Sequence, residues 1–307
     1  MSTQTPANTT GGTGQAKTGR AGRGRAGADG SATGFRASRT LPIRVELVRQ
    51  LRRRRTQISL GFLVVLPFLL LIAFKIGNGS SNRNSGQLVD LATQSGTNFT
   101  VFAMFASASF LLVVVVALFF GDTVASEASW SSLKYLLAAP VPRGRLLRQK
   151  AVVAGLLSVL GLVLLPAVSL LVGVLWYGSG DLVGPTGEAL TFGTGVGRVA
   201  LAAAYLAVHL LWVAGLALLL SVSTDAPLGA VGGAVLVSIL SQILDSITAL
   251  GGLREYLPTH YVYAWSDLLG STVDWGDIVR GVLSALVYCV LFLALAGRRF
   301  ATKDITS

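Results

Sequence analysis

The chain has 307 residues, 52% of them hydrophobic and only 13% charged, with a mean hydropathy of +0.66 and a formal net charge of +11. About a quarter of the residues of an ordinary soluble domain are charged, so this balance excludes that class and calls for an all-α membrane protein, mostly embedded in lipid. The charge does not point to nucleic acid: twenty of the 25 Lys and Arg lie in residues 1–57, in 121–150 and after Gly297, where they flank apolar runs on one side of an even-numbered span arrangement and face an anionic lipid leaflet.

Residues 1–40 are Gly, Ser, Thr, Ala and Arg with hardly a large apolar side chain, so a disordered basic tail is expected there. Within it, GGTGQAKT from Gly11 to Thr18 approaches a phosphate-binding loop, but Ala16 stands where the motif needs glycine. Neither a preceding strand nor a following helix is readable, so no nucleotide site is assigned. No other Walker-type segment occurs, and an ATP-driven process would need its ATPase on another chain. From 41 to 57 the pattern changes: Ile43, Leu47, Val48 and Leu51 fall on one helical face while Arg44, Arg49 and Arg52 to Arg55 supply charge. Two readings fit these residues, an amphipathic helix in the inner interface and a basic stop before the first span.

Residues 58–307 read as one six-span domain. Crossing a hydrocarbon core takes about 20 helical residues, and six runs suffice: Ile58–Ile76, Phe99–Phe120, Ala151–Trp176, Val199–Val222, Pro227–Leu250 and Ile278–Gly297. An even number puts both termini on one side, and the basic flanks place that side in the cytoplasm. The first apolar run begins only at position 58, so no cleavable signal is expected. The expected location is the cell membrane, multi-pass, in a bacterial plasma membrane. Pro67 and Pro166 are placed to kink spans one and three. Between spans five and six, Tyr256, Tyr261, Tyr263, Trp265 and Trp275 suit an aromatic layer at the outer interface. The single cysteine, Cys289, rules out an intrachain disulfide or a cysteine-rich metal site.

Few polar residues lie within the spans. His209 falls near the middle of span four, with Tyr205 and Trp212 at i−4 and i+3, and this aromatic-polar face suits either a substrate route or an interhelical hydrogen bond. Gln242 and Asp245 lie near the outer end of span five and are the other candidates for a substrate pathway. Gly229 and Gly233 form a small-xxx-small spacing that reads as chance or as a close helix crossing.

The segment from Gly121 to Lys150 separates two apolar runs. Glu127 to Leu137 can form a short helix with Trp130, Leu133 and Leu137 on one face and Leu136 beside them. Pro140 ends it, and Arg143, Arg145, Arg148 and Lys150 follow. Charge alone would fit a loop that only fixes topology. The order is more specific: Glu127, Ser131, Ser132, Leu133, Leu136, Leu137, Pro140, Arg143, Leu146, Leu147, Lys150. It resembles the type-2 ATP-binding cassette (ABC) transporter permeases, whose corresponding segment links spans two and three and carries a cytoplasmic coupling helix. That family usually has Gly-Thr where this chain has Ser131-Ser132. The end of the chain is also similar, with Phe300, Lys303 and Asp304 in the family's closing aromatic, basic and acidic positions.

The resemblance implies a permease subunit of an exporter, its substrate unidentified, paired with a second copy or a similar permease. For residues 41–57 it favours the interfacial amphipathic helix that commonly precedes span one in that family. It implies a separate ATPase that holds ATP and Mg and is contacted through Glu127, Trp130, Leu133, Leu136, Leu137, Pro140 and Arg143. This chain would bind no cofactor and perform no covalent chemistry. Two other classes compete: an intramembrane enzyme, which two histidines and the lack of a GxSG motif or an intramembrane aspartate pair argue against, and a sensor or immunity protein that does not transport.

Overall fold

Long apolar runs whose backbone polar groups have no water to bond must close their hydrogen bonds internally, and the computed structural model is accordingly mostly helical. It describes residues 43–77, 87–129, 143–184, 187–270 and 272–302. Helix α1 (Ile43–Leu51) turns at Arg52 and Arg53 into α2 (Arg54–Gly77), and α3 (Gln87–Ala92) leads into α4 (Gly96–Ala108). Then come α5 (Leu111–Ser129), α6 (Arg143–Tyr177), a small hairpin of β1 (Leu182–Val183) and β2 (Ala189–Leu190), α7 (Phe192–His209), α8 (Leu211–Ser223) and α9 (Pro227–Ser246). The strands are antiparallel, with Leu182 opposite Leu190. Two 3-10 stretches, Thr248–Tyr256 and Ala264–Leu269, precede α10 (Gly276–Thr302).

Six helices are long and apolar enough to cross a membrane: Arg54–Ile76, Leu111–Ser129, Gly144–Tyr177, Phe192–Ser223, Pro227–Ser246 and Gly276–Thr302. The number agrees with the sequence reading, but several boundaries do not. The run expected as Phe99–Phe120 is two helices, α4 and α5, divided at Ser109 and Phe110, and α5 continues to Ser129. The third span begins in the basic block at Arg143 rather than at Ala151, because Leu146, Leu147 and Lys150 are buried against the bundle. The fourth starts at Phe192 and is interrupted at Leu210, and the fifth stops at Ser246, short of Leu250. The segment expected as one unit over 41–57 divides at Arg52, so its last residues already belong to the first span.

Helices α5, α7 and α8 form the centre. In the most apolar window of α5, 72% of residues are buried, against 17% in α2. The outward faces of α2, α9 and α10 carry Phe62, Phe68, Leu236, Leu240, Val287 and Val290, all exposed. Such a continuous apolar rim is stable in a lipid surround and not in water.

Two helices come into backbone contact at Gly96 of α4 and Gly173 of α6. A Cβ on Gly96 would lie 2.5 Å from the Val174 nitrogen, and one on Gly173 would lie 2.8 Å from the Gly96 carbonyl oxygen. Only residues without a side chain allow that approach. The Gly229 and Gly233 spacing makes no backbone contact of its own, since a Cβ on Gly229 would first meet Ala226 at 3.6 Å and one on Gly233 the Leu220 side chain at 3.0 Å. Helix α5 does cross α9 between them, where a Cβ on Gly121 would lie 3.2 Å from the Val231 nitrogen.

Helices α8 and α10 run parallel, since Gly281 meets Tyr205 of α7 while Gly215 meets Cys289 and Phe292. At one end Ser221 Oγ accepts the Val124 and Ala125 amides at 3.1 and 3.0 Å, joining the C-terminal turns of α8 and α5. The starts of α2 and α6 meet the same end of α5 through ion pairs described below. One end of the bundle therefore gathers Arg44, Arg49, Arg52 to Arg55, Arg145, Arg148, Lys150, Arg298 and Arg299.

Candidate functional site

The basic end is held by buried carboxylates. Helix α5 remains helical beyond its apolar run, through Asp122 and Glu127, because cations from three other helices neutralise these acids. Glu127 is 4% exposed, and its Oε1 accepts hydrogen bonds from Lys150 Nζ at 2.5 Å and from an Arg49 guanidinium nitrogen at 2.8 Å. Glu46 on α1 receives Arg49 at 2.8 Å and Gln50 at 3.0 Å, and it lies 3.8 Å from Lys150. Asp122 pairs with Arg53 at 3.2 Å and with Arg55. Two neighbouring clusters of ion pairs on α5 thus bind it to α1 and the start of α6, through Glu127, and to the start of α2, through Asp122. Burial disfavours the Glu46 charge, but the Arg49 hydrogen bond and the positive charges of Lys150 and Arg49 outweigh it and hold the carboxyl below its ordinary value.

This network changes the reading of α1. Leu47 and Leu51 pack on the core as its periodicity required, but Glu46 and Gln50 also turn inwards, and Ile43, Val45 and Val48 are left exposed. Glu127 does not head a separate helix; it lies in the last turns of α5. Trp130, Leu133, Leu136, Leu137 and Pro140 fall outside the described residues, and of Arg143 only the helical backbone is described. Arg49, Glu46, Asp122 and Lys150 were missed as site residues because topology alone accounted for the basic ones. The available signal was the acids: two carboxylates at the end of an apolar helix require cations nearby.

Tyr205, His209 and Trp212 do share one buried face, at 5%, 1% and 1% exposure. The Tyr205 and His209 rings stack with centroids 5.7 Å apart and planes 13° from parallel. The Tyr205 hydroxyl donates to the Tyr261 carbonyl at 2.6 Å. Gly281 makes room for that bond, since a Cβ there would fall 2.1 Å from the hydroxyl oxygen. His209 Nδ1 and Trp212 Nε1 have no hydrogen-bond partner among the described residues.

Gln242 and Asp245 are separated from that face and from each other in role. Gln242 Nε2 donates at 2.7 Å to the Ser109 carbonyl, which the division between α4 and α5 leaves without its helical partner. Asp245 Oδ1 lies 2.5 Å from His260 Nδ1, and Arg254 donates to the Asp245 backbone carbonyl at 3.2 Å. The expected aromatic layer divides in two: Tyr256, Tyr263 and Trp275 are exposed, whereas Tyr261 and Trp265 enter the core. Phe105 lies 4.4 Å from Trp265 and 5.5 Å from Tyr263.

The family model described as "Protein of unknown function (DUF2705)" matches residues 79–306. No curated protein matches the chain.

Proposed function

We propose that this chain, which belongs to the DUF2705 family of proteins of unknown function, is the membrane-spanning subunit of an ABC exporter, working as a pair with a second copy or a similar permease. The observation that carries this reading is the Glu127, Lys150 and Arg49 network at the two ends of the segment that resembles a coupling helix. Residues 130–142 leave α5 just after Glu127 and enter α6 just before Lys150. A push on that segment by an ATPase reaches both spans at once, because a buried ion pair ties them together. The Arg-rich end and residues 121–150 are then cytoplasmic, with both termini on that side. ATP and Mg belong to the partner chain.

The leucines of the segment supply the docking surface. Fully burying one leucine stabilises by roughly 1.5–3 kcal/mol, and a groove on the ATPase is the covering the resemblance implies. Replacing Leu136 and Leu137 together with Asp forces charge into that contact. The test is co-purification with a lone ABC ATPase encoded nearby, together with ATP turnover in reconstituted vesicles. The double variant is expected to insert normally and lose partner binding or coupling. Full binding and substrate-coupled turnover in that variant would remove the segment as the coupling element, and a wild-type chain that recruits no ATPase would favour a sensor or immunity role.

A further inference from the structure

At the end of the bundle opposite the ion-pair network, a cleft of about 340 Å³ opens between α4, the β1–β2 hairpin and the second 3-10 stretch. Asn98, Phe102 and Phe105 line one wall, so at 1.5 Å per residue the cleft follows α4 for roughly 10 Å into the bundle. Its walls are fixed before any ligand arrives. Asn98, 5% exposed, clasps the hairpin by donating to the Val183 carbonyl at 2.8 Å and accepting its amide at 2.9 Å. Phe105 is held between Tyr263 and Trp265. The size and the mainly apolar lining are those of a small-molecule site, with few polar groups to fix orientation.

The charged groups among them have one sign. Glu188, Asp267 and Asp274 line the cleft, and no Lys or Arg does so among the described residues. Burial, then the charges of Asp277 and Asp274, push the Asp267 carboxyl above its ordinary value. The Asp267 and Asp274 charges are therefore gathered beside an apolar void, and a cation entering there relieves their repulsion while aromatic faces attract it.

We propose that this cleft binds an amphipathic organic cation, with its charge beside Asp267 and Asp274 and its apolar body against Phe102, Phe105 and Leu182. The assignment concerns this chain alone. Under the exporter reading it supplies the substrate class, but binding by the isolated chain stands without any ATPase.

The test uses the full chain purified in detergent and two probes of nearly equal shape and opposite charge, tetraphenylphosphonium and tetraphenylborate, followed by calorimetry and tryptophan fluorescence. Saturable binding of the cation and none of the anion is expected. Asp267→Asn with Asp274→Asn should weaken it by about tenfold or more, a factor equivalent to about 1.4 kcal/mol; Asp274→Asn keeps the side-chain oxygen that accepts the Gly276 amide. Val101→Trp, which fills the cleft from α4, should abolish binding while the thermal transition is retained. Equal binding of the two probes by the wild type, or unchanged cation affinity in the folded variants, overturns the assignment. The wild-type comparison decides the matter even where a variant fails to fold. Failure here leaves the coupling segment untouched, and loss of ATPase recruitment leaves cation binding intact, so the two readings fail separately.

Discussion

Glu127 near the end of α5 and Lys150 near the start of α6 meet at 2.5 Å, both almost sealed from solvent, across the span-to-span connection that carries the family resemblance. Two charges taken out of water contribute little net stability, but either one left alone is costly. Lys150→Met removes the buried cation beside Glu127, so a loss approaching about 3 kcal/mol is expected, the low end for a broken buried pair. Adding Glu127→Leu should restore most of it. Chemical unfolding of the purified variants in detergent measures this. Under the exporter reading, coupling of ATP turnover to transport should stay lost in the double variant, since neutral side chains no longer tie the two helices. A double variant as unstable as Lys150→Met would show that the pair is not the connection.

The same network sets a pH window through Glu46. Its folded-state value lies below the ordinary 4.5, so its contribution is fully present above that value and disappears as pH falls through the lower, folded one. Wild-type protein should therefore be more stable than Glu46→Gln at neutral pH, and the difference should shrink only in acid below about 4.5, the unfolded reference. Thermal unfolding between pH 7 and pH 3 checks this. A difference that instead vanished between pH 6 and pH 7 would assign the titration to another group.

Tyr205 and Gly281 give a packing prediction. The hydroxyl fills the space a Cβ on residue 281 would need, so Gly281→Ala must displace it and break its bond to the Tyr261 carbonyl. A buried hydrogen bond contributes about 0.5–1.5 kcal/mol, and the Tyr261 carbonyl keeps the Ala264 amide at 3.1 Å as a partner. Tyr205→Phe alone should show that loss. In the Tyr205→Phe background, Gly281→Ala should cost less than in the wild type, because the nearest clash has gone, but not nothing, since the added methyl would still lie 2.8 Å from the Tyr261 Cβ. Equal costs in both backgrounds would mean that another contact forbids the alanine.

The spans were legible because lipid imposes a length and an apolar character that sequence displays directly, and α2 and α9 begin within a few residues of where hydropathy rises or proline permits. The ends were not legible where pairing overrides composition. Asp122 and Glu127 look like helix terminators until Arg53, Arg55, Arg49 and Lys150 are placed beside them, and those partners are far apart in the chain. Helix crossings fail for the same reason: the glycines that touch, Gly96 and Gly173, sit on different helices, and where α9 is approached at Val231, between Gly229 and Gly233, the glycine that admits the contact is Gly121 of α5. Of the polar residues inside the spans, the shared face of Tyr205, His209 and Trp212 was readable from helical periodicity. The partner of Gln242 was not, since it depends on the division at Ser109.

His209 carries the remaining prediction. Its ring is buried midway along the fourth span, immediately before the interruption at Leu210, and it stacks on Tyr205. Stacking needs only an aromatic ring, and Phe would provide it; an aromatic pair of this kind is worth about 0.5–1.5 kcal/mol beyond burial. The imidazole adds nitrogen atoms in an apolar surround, and Nδ1 finds no partner among the described residues. A polar group without a partner among the described residues weakens the fold, so this position points to a role other than stability. His209→Phe should therefore fold with a thermal transition equal to or above that of the wild type, while His209→Leu loses the stacking contribution. Under the exporter reading, both variants should reduce transport per folded molecule in vesicles, because neither offers a polar atom to a passing substrate. Normal transport by His209→Phe together with instability of His209→Leu would instead make the ring a packing element at the helix break, and the substrate route would have to run elsewhere.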